Sequence, residues 1–285
     1  MVSTRAQKLW VVLVGVVLLG SCATTGDRAP SVERMYVIDC GENRVKDLAR
    51  WSAADAGKSV VFSNHCYLIR HARGWMLWDT GNSDAFAAMP DGMSILGGMI
   101  VQIMRKPLAA SLKEISVAPA DIQHLAMSHL HGDHSGNANL FTSATLYMQA
   151  PECDAAFGAE PQKFGFQIAN YGKLRGNHAV KLTGDHDVFG DGSVVIIATP
   201  GHTPGHQSLL VRLPKRGTVI LSGDAVHLQD NWAHRRVPSF NFDREQSLQS
   251  MDKIAAVMKN TGAQLWINHD KVQSDSIPKA PAYVE

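Results

Sequence analysis

The stretch Ser128-His-Leu-His-Gly-Asp-His-Ser-Gly-Asn137 places four polar side chains within six positions: His129, His131, Asp133 and His134. It follows an apolar run over residues 122–127, which predicts a β-strand. Packing does not readily explain so many polar side chains on one loop, whereas imidazole and carboxylate are ligands that zinc prefers. Because adjacent Asp133 and His134 cannot easily join the other two around a single ion, the stretch predicts two metals, a geometry suited to hydrolysis.

Three later segments also follow predicted strands: Thr199-Pro-Gly-His202-Thr-Pro-Gly-His206, Ser222-Gly-Asp224 and Asn268-His269. Taken alone, each has an ordinary interpretation as turn chemistry or a surface histidine. In this order, however, the four segments resemble the metallo-β-lactamase superfamily, whose signature is HxHxDH, a TPGHTPGH-type turn, a Gly-Asp with a bridging aspartate, and a late histidine. The resemblance spans residues 35–270.

This resemblance implies an α/β (α+β) fold, the αβ/βα four-layer sandwich of two mixed sheets. It implies two Zn²⁺ per chain, with other divalent metals possible, and seven ligands. The first ion would be held by His129, His131 and His202, the second by Asp133, His134 and His269, with Asp224 bridging both. By the same pattern, His206 is expected to support a ligand rather than bind metal, and Asp79 to prop the metal loop.

Several stretches look like the N-acyl homoserine lactonase branch: Tyr36-Val-Ile-Asp-Cys-Gly41, Asn64-His-Cys-Tyr-Leu-Ile-Arg-His71, Leu77-Trp-Asp-Thr-Gly81 and residues 128–136. This implies a dinuclear zinc hydrolase that opens the lactone ring by attack of a metal-bound hydroxide, which is quorum quenching. The substrate would be a small molecule with a lactone or ester carbonyl and an apolar tail. The Met- and Ile-rich stretch from Met93 to Met104 is expected either to line a groove for that tail or to form a core-packing helix.

One residue departs from the pattern of the lactonases. Many of them place a tyrosine three residues after the bridging aspartate, whereas this chain has His227 there. An imidazole can also donate a hydrogen bond or protonate a leaving alkoxide. The candidate catalytic residues are therefore Asp133 and His227.

Two other interpretations of the metal signature stay open. A metallo-β-lactamase, or another ester or thioester metallo-hydrolase, shares the signature, although several lactamase subclasses place a cysteine where this chain has Asp224. Glyoxalase-type thioesterases carry a C-terminal helical extension for glutathione, and only residues 270–285 follow His269. A lipid-anchored binding protein without turnover is the alternative outside enzymes, but the complete ligand set argues against it.

The N-terminal residues predict export. Arg5 and Lys8 precede an apolar run from Leu9 to Gly20, and Leu19-Gly20-Ser21-Cys22 resembles the bacterial lipobox. We expect a lipoprotein signal peptide over residues 1–21, a lipidated Cys22 with its tether over 22–32, and the metallo-hydrolase domain over 33–285. The protein would then be exported and lipid-anchored to a cell membrane, in the periplasm or at the cell surface. A plain secretory signal with an incidental cysteine is the alternative.

Composition and cysteine count narrow the remaining classes. The 285 residues are 45% hydrophobic and carry 27 Lys+Arg against 26 Asp+Glu, a balance that predicts a globular protein with no nucleic-acid partner. Cys40 and Cys66 could pair in an oxidising periplasm, but the preferred interpretation is that these two and Cys153 are all buried thiols. Asp243 and Gly262 have the residue types of helix caps and predict a helix between them.

Overall fold

The computed structural model describes residues 32–285 together with residues 1 and 2. The predictions that concern residues 3–31, including the lipobox at Cys22, lie outside the described part of the chain. Among the described residues, no helix has the length and apolar character that crossing a membrane requires.

Within residues 32–285 the strands are β1 (Val32–Val45), β2 (Val60–His71), β3 (Gly74–Trp78), β4 (Met93–Ile95), β5 (Ile100–Ile103), β6 (His124–Ala126), β7 (Thr145–Gln149), β8 (Ala179–Leu182), β9 (His186–Asp187), β10 (Val194–Ala198), β11 (Gln207–Leu213), β12 (Gly217–Leu221) and β13 (Gln264–Trp266). The α-helices are α1 (Leu108–Glu114), α2 (Gly132–Ser135), α3 (Ala150–Phe157), α4 (Ile168–Tyr171), α5 (Gln229–Ala233), α6 (Arg244–Thr261) and α7 (Lys271–Asp275). Short 3-10 helices cover Leu48–Arg50, Ala53–Asp55, Asp84–Ala88, Leu96–Gly98, Pro119–Asp121, Ala138–Leu140, Pro161–Phe164, Gly172–Gly176 and Gly223–Ala225.

The strands form two mixed sheets. The first sheet has the order β4-β5-β1-β2-β3-β6-β7-β8. The neighbouring strands β3, β6, β7 and β8 are parallel to one another, and the other neighbours in this sheet are antiparallel. The second has the order β13-β12-β11-β10-β9, with only β12 and β13 parallel. Parallel neighbours need crossover connections, which helices provide on the outer faces of the two sheets.

Three apolar layers hold this arrangement together. Between the sheets, Trp78 of the first packs in one cluster with Leu221 of the second. Leu108 of α1 is buried in the cluster on the outer face of the first sheet, and Ile254 of α6 in the cluster outside the second. The helix–sheet–sheet–helix order confirms the αβ/βα sandwich expected from the sequence.

The long helix α6 confirms the caps predicted for it. The side chain of Asp243 accepts a hydrogen bond from the Gln246 N–H at 2.9 Å. At the other end Gly262 adopts a left-handed φ of 69°, and its N–H donates to the Met258 carbonyl. Both ends are therefore satisfied locally, which is why the sequence alone located this helix well.

Residues 93–104 form a hairpin of β4 and β5 rather than the helix considered above. The turn lies at Gly97 and Gly98, whose φ values of 65° and 83° suit glycine better than other residues. The helix interpretation is thus wrong. A short apolar run has no periodicity that distinguishes strand from helix, and only pairing with β1 decides it.

The structure also corrects the preferred interpretation of the cysteines. Cys40 and Cys66 form a disulfide, whereas Cys153 is free and buried as expected. The two bonded residues belong to neighbouring strands β1 and β2, with Cα atoms 5.8 Å apart, within the range that a disulfide spans. A spacing of 26 residues in the sequence gave no sign of this pairing across two strands.

Candidate metal centre

The structure brings the seven predicted ligands together at one edge of the sandwich, on loops that follow β6, β10, β12 and β13. They form two groups in which one potential ligand atom of each residue lies within 4.8 Å of the others. The first cluster contains His129, His131, His202 and Asp224, and the second contains Asp133, His134 and His269. Strand ends from both sheets are needed to assemble these groups, so neither sheet alone could form the site.

Asp224 belongs to the first cluster and also faces the second, with one carboxylate oxygen towards the histidines of each. Its Oδ2 is 3.3 Å from His202 Nε2 in the first cluster. Its Oδ1 is 3.2 Å from His134 Nε2 and 3.1 Å from His269 Nε2 in the second. The side chain is buried, at 4% exposure. This is the position expected of a carboxylate that bridges two cations.

In several of the histidines, a hydrogen bond of the outer ring nitrogen fixes the proton there, so that the inner nitrogen has a free lone pair. His131 Nε2 donates to the Phe164 carbonyl at 3.0 Å, and His269 Nδ1 donates to the Ser63 carbonyl at 2.8 Å. A carbonyl oxygen only accepts, so each ring carries its proton on the outer nitrogen. The inner nitrogens, His131 Nδ1 and His269 Nε2, are then free to bind a cation.

Two further histidines follow the same rule. His134 Nδ1 donates to Asp79 Oδ2 at 3.0 Å, and His202 Nδ1 donates to Asn241 Oδ1 at 2.9 Å. Each of these rings therefore also presents Nε2 to the centre. Oriented lone pairs of this kind are typical of metal-binding histidines whose outer nitrogen is held by an oxygen acceptor.

The inner nitrogens of the first cluster lie close enough together to bind one cation. His131 Nδ1 lies 2.9 Å from His129 Nε2 and 3.0 Å from His202 Nε2. Burial lowers the pKa of both His129 and His202 well below the usual histidine value, so both are neutral at pH 7. Lone pairs directed at one another repel, and a divalent cation among them removes that repulsion.

In the second cluster, three carboxylates surround His134 and make its environment negative. Burial opposes protonation of His134, but the carboxylates of Asp224, Asp79 and Asp133 outweigh it and raise the His134 pKa well above its usual value. Without a cation, a proton on this ring compensates the charge of the carboxylates. The same negative potential attracts a divalent cation, so this cluster also fits a metal.

Asp79 and His206 support the ligands, as the sequence indicated. Asp79 accepts from the Ser128 N–H at 2.6 Å as well as from His134, with an unusual φ of 59° for an aspartate. His206 donates from Nδ1 to the Thr199 carbonyl and accepts the Asp224 N–H at Nε2, at 3.0 and 2.9 Å. Because both of its ring nitrogens are occupied, His206 is not available as a ligand.

His227 and Asp133, the two candidate catalytic residues, both line the cavity beside the clusters. His227 Nε2 lies 3.0 Å from Asp224 Oδ2, and its buried Nδ1 has no hydrogen-bond partner within the described residues. Asp133 Oδ2 accepts from Asn43 Nδ2 at 2.7 Å and lies 3.7 Å from His269 Nε2. Asn43 was not singled out by the sequence, because only the register of β1 brings it here.

The cavity has a volume of about 420 Å³ and opens from the two clusters. Its remaining walls are mainly apolar: Val45, Trp51, Phe62, Ile95, Leu96, Ile100, Phe164, Phe240 and Phe242. Ile95, Leu96 and Ile100 come from the stretch 93–104, so this stretch does line a groove next to the site. The aromatic residues come from distant segments and carried no signal in the sequence.

A model of the metallo-β-lactamase superfamily matches residues 60–257, and the chain belongs to this superfamily. It is therefore a metal-dependent hydrolase, and the resemblance inferred from the motifs is confirmed.

Among its relatives, the chain is 32% identical over 265 residues to the N-acyl homoserine lactonase AttM of Azorhizobium caulinodans, covering 88% of this chain and 98% of the relative. It is 29% identical over 259 residues to the N-acyl homoserine lactonase AiiA of Bacillus thuringiensis subsp. kurstaki, covering 89% and 100%. A solved structure of an N-acyl homoserine lactone hydrolase, with the product N-hexanoyl-L-homoserine bound at its catalytic metal centre, superimposes with a TM-score of 0.77. That match has 28% identity and covers 89% of this chain and 100% of the other.

Proposed function

We propose that this protein hydrolyses the lactone ring of N-acyl homoserine lactones and so quenches bacterial quorum signals. The observation that carries the proposal is the position of Asp224 between two histidine clusters, at the end of an apolar cavity. Relatives that match almost the whole chain are named for this activity. The substrate combines a small polar ring with an apolar acyl tail, which corresponds to the polar and apolar parts of the cavity.

We propose two divalent cations as cofactors, with zinc as the natural metal. His129, His131 and His202 would hold the first, and Asp133, His134 and His269 the second, with Asp224 shared. The chemistry that such a pair supplies when bound is Lewis-acidic: it lowers the pKa of water and polarises a carbonyl. Nitrogen and carboxylate donors at this ratio suit zinc, although manganese, iron and cobalt accept similar sets.

The hydrolysis adds water across the ester bond of the ring. The water oxygen bonds to the carbonyl carbon, the bond between that carbon and the ring oxygen breaks, and the ring oxygen leaves as an alcohol after taking a proton. We assign the delivery of this proton to His227, which lines the cavity next to Asp224. The role that a tyrosine has in many lactonases would thus be taken by an imidazole.

Residues of the cavity walls orient the substrate. Asn43 holds the Asp133 carboxylate, so that this group does not turn into the space for the ring. Trp51 and Phe240, whose ring centroids are 5.3 Å apart, form a rigid apolar wall for the acyl tail. A tail packed there would exclude bulk water from the reacting carbonyl.

A substrate panel tests the proposal. The purified protein, residues 23–285 loaded with zinc, should release one equivalent of acid from an N-acyl homoserine lactone, as measured by pH-stat titration. Elemental analysis should find about two metal ions per chain. Cleavage of a chromogenic β-lactam without acid release from lactones of any acyl length would support a metallo-β-lactamase instead. Hydrolysis only of thioesters would reject the lactonase assignment in the same way.

We also propose that the protein is exported and lipid-anchored through Cys22. The support is the charged and apolar pattern of the N-terminal residues and the sequence Leu19-Gly20-Ser21-Cys22. A disulfide between Cys40 and Cys66 fits an oxidising compartment. Mass spectrometry of the mature N-terminus should find an acylated Cys22, and Cys22→Ser should move the protein from the membrane fraction to the soluble fraction. An unmodified mature terminus elsewhere would contradict the anchor.

A further inference from the structure

One buried carboxylate connects the two loops that supply the first cluster. Glu152, in the first turn of α3, is only 1% exposed. Its Oε1 accepts the Leu130 N–H at 3.1 Å, and its Oε2 accepts the Gly205 N–H at 2.9 Å. Leu130 stands between the ligands His129 and His131, and Gly205 lies between His202 and His206. The carboxylate of Glu152 thus reaches the loops after β6 and β10, which belong to different sheets.

The contact at Gly205 leaves little freedom for this arrangement. A Cβ atom at position 205 would lie 2.4 Å from the Glu152 backbone nitrogen, so the turn and the start of α3 touch directly. Any side chain there would push the loop away from the helix. Helix α3 itself is anchored in the outer apolar layer through Cys153 and Ala156. Glu152 therefore ties both loops to a fixed element of the fold.

We propose that Glu152 is a positioning residue that sets the geometry of the first cluster by holding the loops of His131 and His202 at a fixed separation. These two ligands come from the two loops that Glu152 joins, and their inner nitrogens are 3.0 Å apart. This inference rests on the metal-binding part of the proposed function. It goes beyond it by assigning a role to a side chain that touches neither substrate nor metal.

The second cluster does not depend on this residue. His134 is held by Asp79, and His269 by the Ser63 carbonyl of β2. Loss of Glu152 should therefore weaken one cation site and spare the other. A purely structural role would instead affect both sites in proportion to the loss of stability.

The chemistry of a carboxylate explains why glutamine would not replace it. Both oxygens of a carboxylate accept, so two backbone N–H groups are satisfied at once. A glutamine has one accepting oxygen, and its NH₂ group would face the other N–H donor. Both Glu152→Gln and Glu152→Ala should therefore leave at least one buried N–H without a partner.

Cobalt binding by the metal-free protein tests the inference without using enzyme activity. Co²⁺ is titrated into residues 23–285 and into each variant, with the d–d absorption and competition by a chromophoric chelator as readouts. His202→Ala and His269→Ala identify which binding step belongs to which cluster. We expect Glu152→Gln and Glu152→Ala to weaken the step that His202→Ala removes by about 10- to 100-fold, with the other step changed less than about threefold.

Tyr171→Phe is the matched control. Its hydroxyl donates to the Ala156 carbonyl of α3 at 3.1 Å, so the variant removes a buried hydrogen bond on the same helix without touching either loop. It should leave both binding steps unchanged. Equal weakening of both steps in folded Glu152→Ala, or no change in either step, would overturn the role of Glu152. A wild-type protein that binds no Co²⁺ would overturn the proposed function as well, so the two failures are distinguishable.

Discussion

His206 holds the backbone of Asp224: its Nε2 accepts the Asp224 N–H at 2.9 Å. The second histidine of the TPGHTPGH turn thereby orients a carboxylate that faces both clusters. The imidazole of His206 in turn donates from Nδ1 to the Thr199 carbonyl. His206 therefore connects the loop after β10 with the loop after β12, which carries Asp224. The position of Asp224 is therefore fixed by a contact of its backbone as well as by the contacts of its side chain.

Removing the charge of Asp224 should abolish activity. In Asp224→Asn one bridging oxygen becomes an NH₂ group, which repels a cation and cannot share it with the other oxygen. We expect no detectable acid release from lactones and a metal content of one ion or fewer per chain, measured by elemental analysis. Asp154→Asn, at an exposed carboxylate of α3, is the control and should keep both properties. Full activity in Asp224→Asn would contradict the bridging role.

The role of His227 can be separated from a merely structural one by the leaving group. His227→Ala should lower kcat for lactones by about 10²-fold, because the leaving alkoxide loses its proton donor. A thiolactone of the same acyl chain leaves as a more stable thiolate and should lose at least tenfold less. His227→Tyr should restore most of the lactone activity. Equal losses on both substrates, measured as kcat, would show that His227 does not donate the proton.

The apolar wall should determine acyl-chain preference. Phe242 lines the cavity and is 54% exposed, so Phe242→Ala removes apolar contact without leaving a hole in the core. We expect KM for a ten-carbon acyl chain to rise about 5- to 30-fold, from a loss of about 1–2 kcal/mol of apolar burial. KM for a four-carbon chain should stay nearly constant. Met89→Ala, which alters a partly exposed residue that does not line the cavity, should change neither value.

Glu152 should make the stability of the metal-free protein depend on pH. Burial raises the pKa of this carboxyl from 4.5 to about 7, although the polar groups around it, from Thr203, Gly205 and Leu130, act in the opposite direction. Because the folded pKa lies above the unfolded one, the stabilising contribution is complete below about pH 4.5 and is lost as the pH rises through 7. Relative to Glu152→Gln, the wild type should lose about 3 kcal/mol of unfolding free energy between these limits.

Urea denaturation of both proteins, free of metal, at pH 5 and pH 8 measures this difference. The histidines of the two clusters titrate in both proteins and cancel in the comparison. A difference in unfolding free energy that stays constant between the two pH values would show that Glu152 titrates normally.

The motifs predicted a set of candidate ligands that the structure brings together, because the chemistry of this set is local in the sequence. Four of the seven ligands fall within residues 129–134, and the others each follow a strand whose apolar pattern is visible. The helix α6 was predicted for the same reason, since Asp243 and Gly262 cap it through neighbours in the chain. Helix caps and metal loops both depend on residue types at short, fixed spacings.

The environment of the ligands could not be predicted in this way. His131 and His269 are oriented by the carbonyls of Phe164 and Ser63, and every residue of the chain has a carbonyl. Glu152, which contacts Leu130, and Asn43, which contacts Asp133, do not belong to any motif in the sequence.

Residue types and their order thus determined the superfamily, the layered fold and the candidate ligands of this protein, since these depend on local spacing and apolar periodicity. Tertiary structure alone decided the hairpin at residues 93–104, the Cys40–Cys66 bond and the hydrogen bonds that hold the outer nitrogens of His131 and His269. The physical reason is that these features depend on strand register and on contacts between segments as far apart as Ser63 and His269, and no local pattern encodes such distances.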